Sequence, residues 1–170
     1  MKLIAETERL IIREITLDDA EFMLQLHSNP LVQQYTGEPV VESISEMKER
    51  IEEHNIKDYI NIGYGRWAVI MKSSNAFTGW CGLKYLDEFD KIDLGYRFLP
   101  EFWGKGIATE AGRAVIKYGF EQLGLEQIIA IAFPKNHASI RVMQKVGMTF
   151  DKIAPYDEET PEAVWYKINS

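Results

Sequence analysis

Trp103-Gly104-Lys105-Gly106-Ile107-Ala108-Thr109 follows a strand-like run, Asp93-Leu94-Gly95-Tyr96-Arg97-Phe98, and opens a helix. The junction describes a place to hold a diphosphate. Two glycines separated by one residue let the backbone approach a ligand and adopt angles closed to other residues. The first turn of a helix leaves N–H groups unpaired and carries partial positive charge. An anion settles there without needing a basic side chain. Alone, such a loop is a weak signal; its weight depends on a second stretch that begins at Asn136.

Working outward from the junction, Ile107 to Gln122 reads as the helix, with Ile107, Ala111, Val115 and Tyr118 at core spacing. Upstream, Arg66 to Met71, Phe77 to Tyr85 and Ile92 to Phe98 read as a three-stranded antiparallel meander. Lys72-Ser73-Ser74-Asn75 joins the first two strands, and the polar loop Asp87-Glu88-Phe89-Asp90 precedes the third. Downstream, Gln127 to Phe133 is apolar at consecutive positions, as in a strand covered on both faces. Asn136 caps a second helix, and Gly147 sits where a left-handed C-terminal cap belongs, with Met148 packing back onto Met143 or Gln144. Final strands fall at Met148 to Lys152 and Val164 to Ile168.

At the other end, Arg9 to Ile15 reads as a first strand and Leu17 to His27 as a helix capped by Thr16 or Asp18. Phe22, Met23 and Leu26 share one face of it, and Asn29-Pro30 ends it. Ser43-Ile44-Ser45-Glu46 has the spacing of a capping box, and the charged stretch from Met47 to His54 reads as an exposed helix. This order gives a mixed α/β sheet of about seven strands rather than a regular alternation.

Bulk properties narrow the function. At 170 residues the chain fits one domain spanning 1–170, with no repeats or Pro/Gly linkers; such a domain buries roughly 70% of its unfolded surface. The longest apolar run, Ile128 to Phe133, is six residues, too short to cross a membrane. Glu6, Glu8 and Arg9 interrupt any signal-like core, so the expected location is the cytoplasm. A formal net charge of −7 argues against nucleic acid or an anionic membrane as partner. Cys81, the one cysteine, sits in a strand and reads as a buried thiol. His27, His54 and His137 share no metal-ligand spacing and read as surface or capping residues, so no metal is expected.

The second stretch is Asn136-His137-Ala138-Ser139-Ile140-Arg141-Val142-Met143-Gln144-Lys145-Val146-Gly147-Met148. Asn136 and Ser139, three apart at a helix start, project from one side of its first turn. One is an amide that donates and accepts; the other is a hydroxyl that gives up or relays a proton. In isolation the stretch also reads as an ordinary capped helix.

Joined to the glycine loop, it resembles the GNAT superfamily of acyl-CoA-dependent N-acetyltransferases. The family's Gln/Arg-x-x-Gly-x-Gly/Ala signature corresponds to Trp103-Gly104-Lys105-Gly106-Ile107-Ala108, and its Asn-x-x-Ser-x-Arg signature to Asn136, Ser139 and Arg141, followed by Lys145 and Gly147. Trp103 replaces the usual Gln/Arg, and Met148 stands where an aromatic is frequent. With the opening Thr7-Glu8-Arg9-Leu10-Ile11-Ile12-Arg13, the chain is similar to the ribosomal-protein N-terminal acetyltransferase branch.

The resemblance implies an α+β fold: a single, central, mostly antiparallel twisted sheet flanked by helices. It implies acetyl-CoA as co-substrate and a primary amine as acceptor, most readily a protein or peptide N-terminal α-amine. Phe98 and Leu99 would pair with the pantetheine arm, and backbone N–H groups from Gly104 through Lys105, Gly106, Ile107 and Ala108 to Thr109 would cradle the diphosphate. Asn136 would hold the pantetheine or carbonyl region, and Ser139 would bind near the sulfur or protonate the leaving thiolate, a task a tyrosine often performs in other branches. Lys105 and Arg141 would meet phosphate or, equally, lie in solvent and in a surface ion pair.

The chemistry agrees. An α-amine has a pKa of about 8, so a sizeable fraction is neutral at roughly pH 7.5–8, and a weak base suffices. Asp93 is the better base candidate, or else a solvent-facing strand residue, with Glu101 a lesser candidate; Glu110, a turn beyond the loop, reads as structural. Asp87, Glu88 and Asp90 read as a solvated turn or as an attractor for a cationic amine. A dinucleotide fold is disfavoured because Thr109 stands where a third glycine belongs and no acid follows Phe133. A phosphate-loop NTPase lacks its Gly-Lys-Ser/Thr ending. A non-catalytic acyl-CoA sensor and a polyamine or small-amine acetyltransferase stay open, as does a monomer or a homodimer built on Tyr156, Trp165 and Tyr166.

Overall fold

Trp67 and Val69 are buried on one side of β3 (Arg66–Met71), and Ala68 and Ile70 on the other, so this strand lies inside a sheet with both faces covered. The computed structural model describes residues 1–170. β1 (Leu3–Glu6) and β2 (Leu10–Glu14) precede β3, and β4 (Ala76–Leu86) and β5 (Lys91–Phe98) follow it. β6 (Gln127–Ala132), β7 (Thr149–Ala154) and β8 (Ala163–Asn169) complete one eight-stranded sheet in the order β1-β2-β3-β4-β5-β6-β8-β7. Every neighbouring pair is antiparallel except β5 with β6. The expected mixed, mostly antiparallel sheet is present. Its unexpected eighth strand is β1, a short edge strand whose residues are half-buried or exposed and so carry little hydrophobic pattern.

Helices cover both faces. α5 (Ile107–Glu121) places Ile107, Ala111, Val115 and Ile116 against Leu10, Ile12, Trp67, Leu83 and Leu94, and Met143 of α6 (His137–Lys145) joins the same core. The opposite face is covered by α1 (Ala20–Ser28), α2 (Pro30–Gln33) and α3 (Ile44–Ile51), which continues through a π-helical turn into α4 (Lys57–Asn61). Met23, Leu26, Met47 and Ile51 meet Ala68, Ile70, Phe77 and Leu99 there. Burying one such side chain is worth about 1.5–3 kcal/mol. The helix expected to be exposed from Met47 therefore has a buried stripe one turn apart.

Local signals explain the helix ends. Ser43 Oγ accepts the Glu46 N–H at 3.2 Å, and Asn136 Oδ1 accepts the Ser139 N–H at 3.1 Å. Gly147, at φ 98°, closes α6, and the Met148 N–H returns to the Met143 carbonyl at 3.0 Å. Thr16, rather than Asp18, starts the first helical segment: a 3-10 turn at Leu17–Asp19 in which the Asp19 carboxylate accepts the Thr16 N–H. Cys81 is fully buried and its thiol is pushed up to about 12 by desolvation, which leaves it inert. Trp165 and Tyr166 are also buried, one against Phe89 and the other against Phe150, so they offer no surface for a dimer.

His27 departs from its expected surface position. It is 6% exposed, and Nη1 of Arg97 lies 3.1 Å from its Nδ1. Arginine only donates, so Nδ1 accepts and the ring is neutral, with its proton on Nε2. Burial first, and the Arg97 charge second, pull its pKa down to about 3. The folded value lies below the unfolded one, so below about pH 6.5 the unfolded chain takes up the proton first. Stability from this site is complete above that pH and is lost progressively as pH falls. We expect Tm to drop between about pH 6.5 and 5 in the native protein and His27→Gln to flatten that slope; an unchanged slope would refute the buried neutral ring.

Candidate active site

β5 and β6 share one parallel pair, Asp93 with Ile129. Beyond it a cleft of about 560 Å³ opens, lined by Leu94 to Phe98 on one side and Ile131 to Phe133 on the other. Along an antiparallel ladder, alternate residues turn their backbone groups toward and away from the partner strand. The Phe98 carbonyl faces away from β4, where it accepts the Trp103 indole N–H at 2.7 Å. Leu94 and Tyr96, in phase with Phe98, turn theirs toward the same gap.

The glycine loop forms one end of this cleft. Gly104 and Gly106 have φ of 72° and 76°, and a Cβ on either would meet no heavy atom closer than 3.5 Å. Glycine is demanded here by backbone angle and not by space. The loop aligns the N–H groups of residues 104–109, none of which donates to an acceptor within the protein. Arg9 holds the loop from outside: its Nη1 donates to the Lys105 carbonyl at 2.9 Å, and its Nε donates to Glu110 at 2.6 Å. Glu110 also accepts from the Thr7 hydroxyl and the Arg9 N–H. Burial would raise the Glu110 carboxyl, but these hydrogen bonds outweigh it and hold it below the ordinary range. Glu110 is structural.

α6 forms the facing wall. Ala138, Ser139, Arg141 and Val142 line the cleft together with Gly104, Gly106, Ala108 and Thr109, so both helix starts open into one cavity. Ser139 has a partner the sequence did not indicate. The Tyr96 hydroxyl donates to the Ser139 carbonyl at 2.8 Å and lies 2.9 Å from Ser139 Oγ. Burial raises the Tyr96 phenol far above its usual range, so it stays protonated. The available signal was strand alternation, which places Tyr96 in phase with Leu94 and Phe98 on the α5 side.

Other predicted positions stand differently. Leu99 is buried in the core under α1, and its N–H is donated to Thr78 O at 2.9 Å, so it does not face the cleft. With the Phe98 carbonyl on Trp103, the backbone groups left for an extended ligand are the Leu94 carbonyl, those of Tyr96 and the Phe98 N–H. Asn136 lines the cleft, but its Oδ1 is the α6 cap; its amide nitrogen alone remains. Asp93 is withdrawn as a base, because Arg66 Nη2 sits 2.6 Å from its Oδ2 in a half-buried ion pair. Lys105 lies outside the cleft lining, with its ammonium 5.9 Å from the Phe102 ring centroid. Arg141 lines the cleft and has no carboxylate partner, which removes the surface ion pair as its role. Glu101 is exposed, and neither it nor the Asp87-Glu88-Asp90 turn touches the cleft.

The site is built of unpaired amides, a serine backed by a tyrosine, and an isolated arginine. The comparisons agree with that arrangement. Residues 9–149 match the model of the acetyltransferase (GNAT) domain. The uncharacterized N-acetyltransferase YoaA of Bacillus subtilis is 35% identical over 145 residues, covering 85% of this chain and 81% of that protein. The spermidine N(1)-acetyltransferase of Escherichia coli K12 is 27% identical, covering 82% and 73%. Among solved structures, RimL, a ribosomal α-N-protein acetyltransferase in complex with coenzyme A, superposes with a TM-score of 0.80 at 19% identity, covering 99% and 98%. With its cleft, its glycine loop and its sequence in agreement, this chain belongs to the GNAT acetyltransferase family.

Proposed function

We propose that this chain transfers the acetyl group of acetyl-CoA to a primary amine, most readily the α-amine of a peptide or protein N-terminus. The carrying observation is that Gly104 and residues 106–109, with their unpartnered N–H groups, and the Ser139–Tyr96 pair line one cleft. The residues fit the co-substrate. The loop amides and Arg141 suit a diphosphate. The free N–H of Phe98 and the backbone of Tyr96 suit an extended amide-bearing arm lying in the gap as a strand would.

Acetyl-CoA supplies an activated thioester. Donors fixed at a reacting carbonyl are commonly the largest catalytic contribution, and the gap between β5 and β6 presents such donors. Ser139 Oγ, in the first turn of α6, gives its proton to the departing thiolate. Tyr96 keeps the hydroxyl aimed and passes its own proton to the serine oxygen as the thiol forms. The proton shed by the acylated nitrogen leaves to solvent, which reprotonates the phenol, so the step closes with amide and free thiol. No cleft carboxylate is free to act as base. An α-amine, at a pKa of about 8, supplies enough neutral nucleophile without one, whereas a lysine amine, at about 10.4, does not.

The spermidine-acetylating relative raises the polyamine reading. Against it, Asp93 is the one carboxylate lining the cleft, and Arg66 already neutralises it. A polycation finds no counter-ions there.

Thiol release from acetyl-CoA, measured across α-amino peptides, lysine peptides and polyamines, tests the assignment: α-amino peptides should lead. Thermal protection by CoA with no thiol from any amine would make the protein an acyl-CoA-binding module instead. Gly106→Val should weaken CoA binding at least tenfold, because a β-branched residue at positive φ costs roughly 1–3 kcal/mol or displaces the amide row. An unchanged dissociation constant would overturn the loop assignment. Ser139→Ala should lower kcat by about a hundredfold while CoA affinity changes little, as for a group acting in the transition state. Tyr96→Phe should produce a smaller loss that does not add to it. Equal losses of affinity and turnover in Ser139→Ala would mark a binding residue.

A further inference from the structure

The face of the sheet opposite α5 carries a second polar constellation. Trp80 of β4 stands opposite Arg97 of β5, and the guanidinium carbons of Arg66 and Arg97 lie 5.3 Å and 5.2 Å from the Trp80 ring centroid. Stacking on an aromatic face stabilises a desolvated guanidinium. The two arginines differ in what they have left. Arg66 reaches across Gly95, where a Cβ would lie 2.5 Å from its Cζ, to the Gly82 carbonyl, the Asp93 carbonyl and the Asp93 carboxylate. Both of its terminal nitrogens are engaged by the sheet.

Arg97 is held by one nitrogen only. Nη1 meets Glu38 at 3.0 Å, His27 Nδ1 at 3.1 Å and Gln33 Oε1 at 3.5 Å. Nε and Nη2 donate to nothing in the protein, although the side chain is 10% exposed and lines the cleft. Nε and Nη2 form the side edge of the guanidinium fork, the edge that grips a carboxylate or carbonyl with two parallel bonds. Three of its five N–H donors are thus free of protein partners and open to water or a ligand. The local charge points the same way. Arg66 and Asp93 cancel, whereas Arg97 and Arg50 share the single carboxylate of Glu38.

Resting on the acetyl-transfer reading, we propose that the free edge of Arg97 binds an oxygen carried next to the acceptor amine, so that the acceptor is an aminoacyl compound and Arg97 is its specificity residue. Tyr96 marks the sulfur side of the gap. Arg97, the next residue, projects from the other face of the same strand, so an amine approaching the thioester from that face passes the guanidinium. The first carbonyl of a peptide and the carboxylate of a free amino acid share this chemistry.

The test uses the native enzyme with matched acceptors: alanine amide, an alanyl peptide, free alanine, and 1,2-diaminopropane, which lacks the oxygen. kcat/KM is corrected for the neutral fraction of each amine. The aminoacyl acceptors should be preferred by about ten- to a hundredfold, the worth of one charge-assisted hydrogen bond. A lead for the peptide and amide assigns the carbonyl, and a lead for free alanine assigns the carboxylate. In Arg97→Gln and Arg97→Lys the preference should collapse to within about threefold. Structural damage lowers both acceptor classes together, so the ratio isolates recognition, and CoA-induced thermal protection reports the fold. Efficient turnover of 1,2-diaminopropane by the native enzyme overturns the role of Arg97 and leaves acetyl transfer standing. No thiol release with any of the acceptors overturns both.

Discussion

Past Asp93 and Ile129, β5 and β6 cease to pair, although each keeps a ladder on its far side, to β4 and to β8. A sheet opened in its middle exposes backbone donors and acceptors in a partly dry interior, where each unsatisfied group costs about 1–3 kcal/mol. Such an opening persists only if rigid surroundings hold it and water or a ligand fills it. Here the surroundings are helical. α5 crosses under the junction with Ala111 and Val115 in the core. A Cβ on its Gly112 would lie 3.0 Å from Val146 at the end of α6, so the two helices are already in tight contact. The opening is therefore bordered by a close-packed helix pair, which resists rearrangement.

The glycine-loop end of the cleft shows how charge is kept from cancelling itself. Glu110 lies in the first turn of α5, where a carboxylate is favoured by the helix dipole but competes with any anion bound at the same terminus. Its hydrogen bonds run to Thr7 and Arg9, away from the loop, and Arg9 returns a further bond to the Lys105 carbonyl. The acid is thereby converted from a rival of the ligand into a brace for the loop. The residues before β2 matter to the site for this reason, although none of them lines it.

The glycine loop, the two helix starts and the order of strands were legible because each rests on local chemistry: backbone angle, capping oxygens, apolar alternation. Gly104, Gly106 and Gly147 take the positive φ their positions required, and Asn136 caps as its spacing implied. What escaped depends on which face of a strand or helix meets what. His27 lies four residues beyond Met23 on the buried side of α1, a spacing that could have placed it inside. Tyr96 and Arg97 carried no sequence signal beyond their places in a strand, because their roles come from a gap and from α1 to α3 folding over the sheet. Asp93 read as free because its partner Arg66 is distant in sequence and reaches it only across a glycine two residues further along β5.

That last arrangement bears on how the chemistry is divided. Consecutive residues of a strand point to opposite faces, so Tyr96 and Arg97 sit back to back with one peptide between them. Tyr96 faces α6 and Ser139; Arg97 faces Trp80, Glu38 and the helices on the opposite side of the sheet. The separation of the two halves is therefore set by the pleat of β5, not by flexible loops. β5 is anchored to β4 along its length, so a shift of either residue would require breaking ladder hydrogen bonds. Precision of this kind favours an acceptor with a fixed short spacing between its amine and its recognised group. A long flexible polyamine, whose charges vary in position, gains little from a strand that cannot move to meet them.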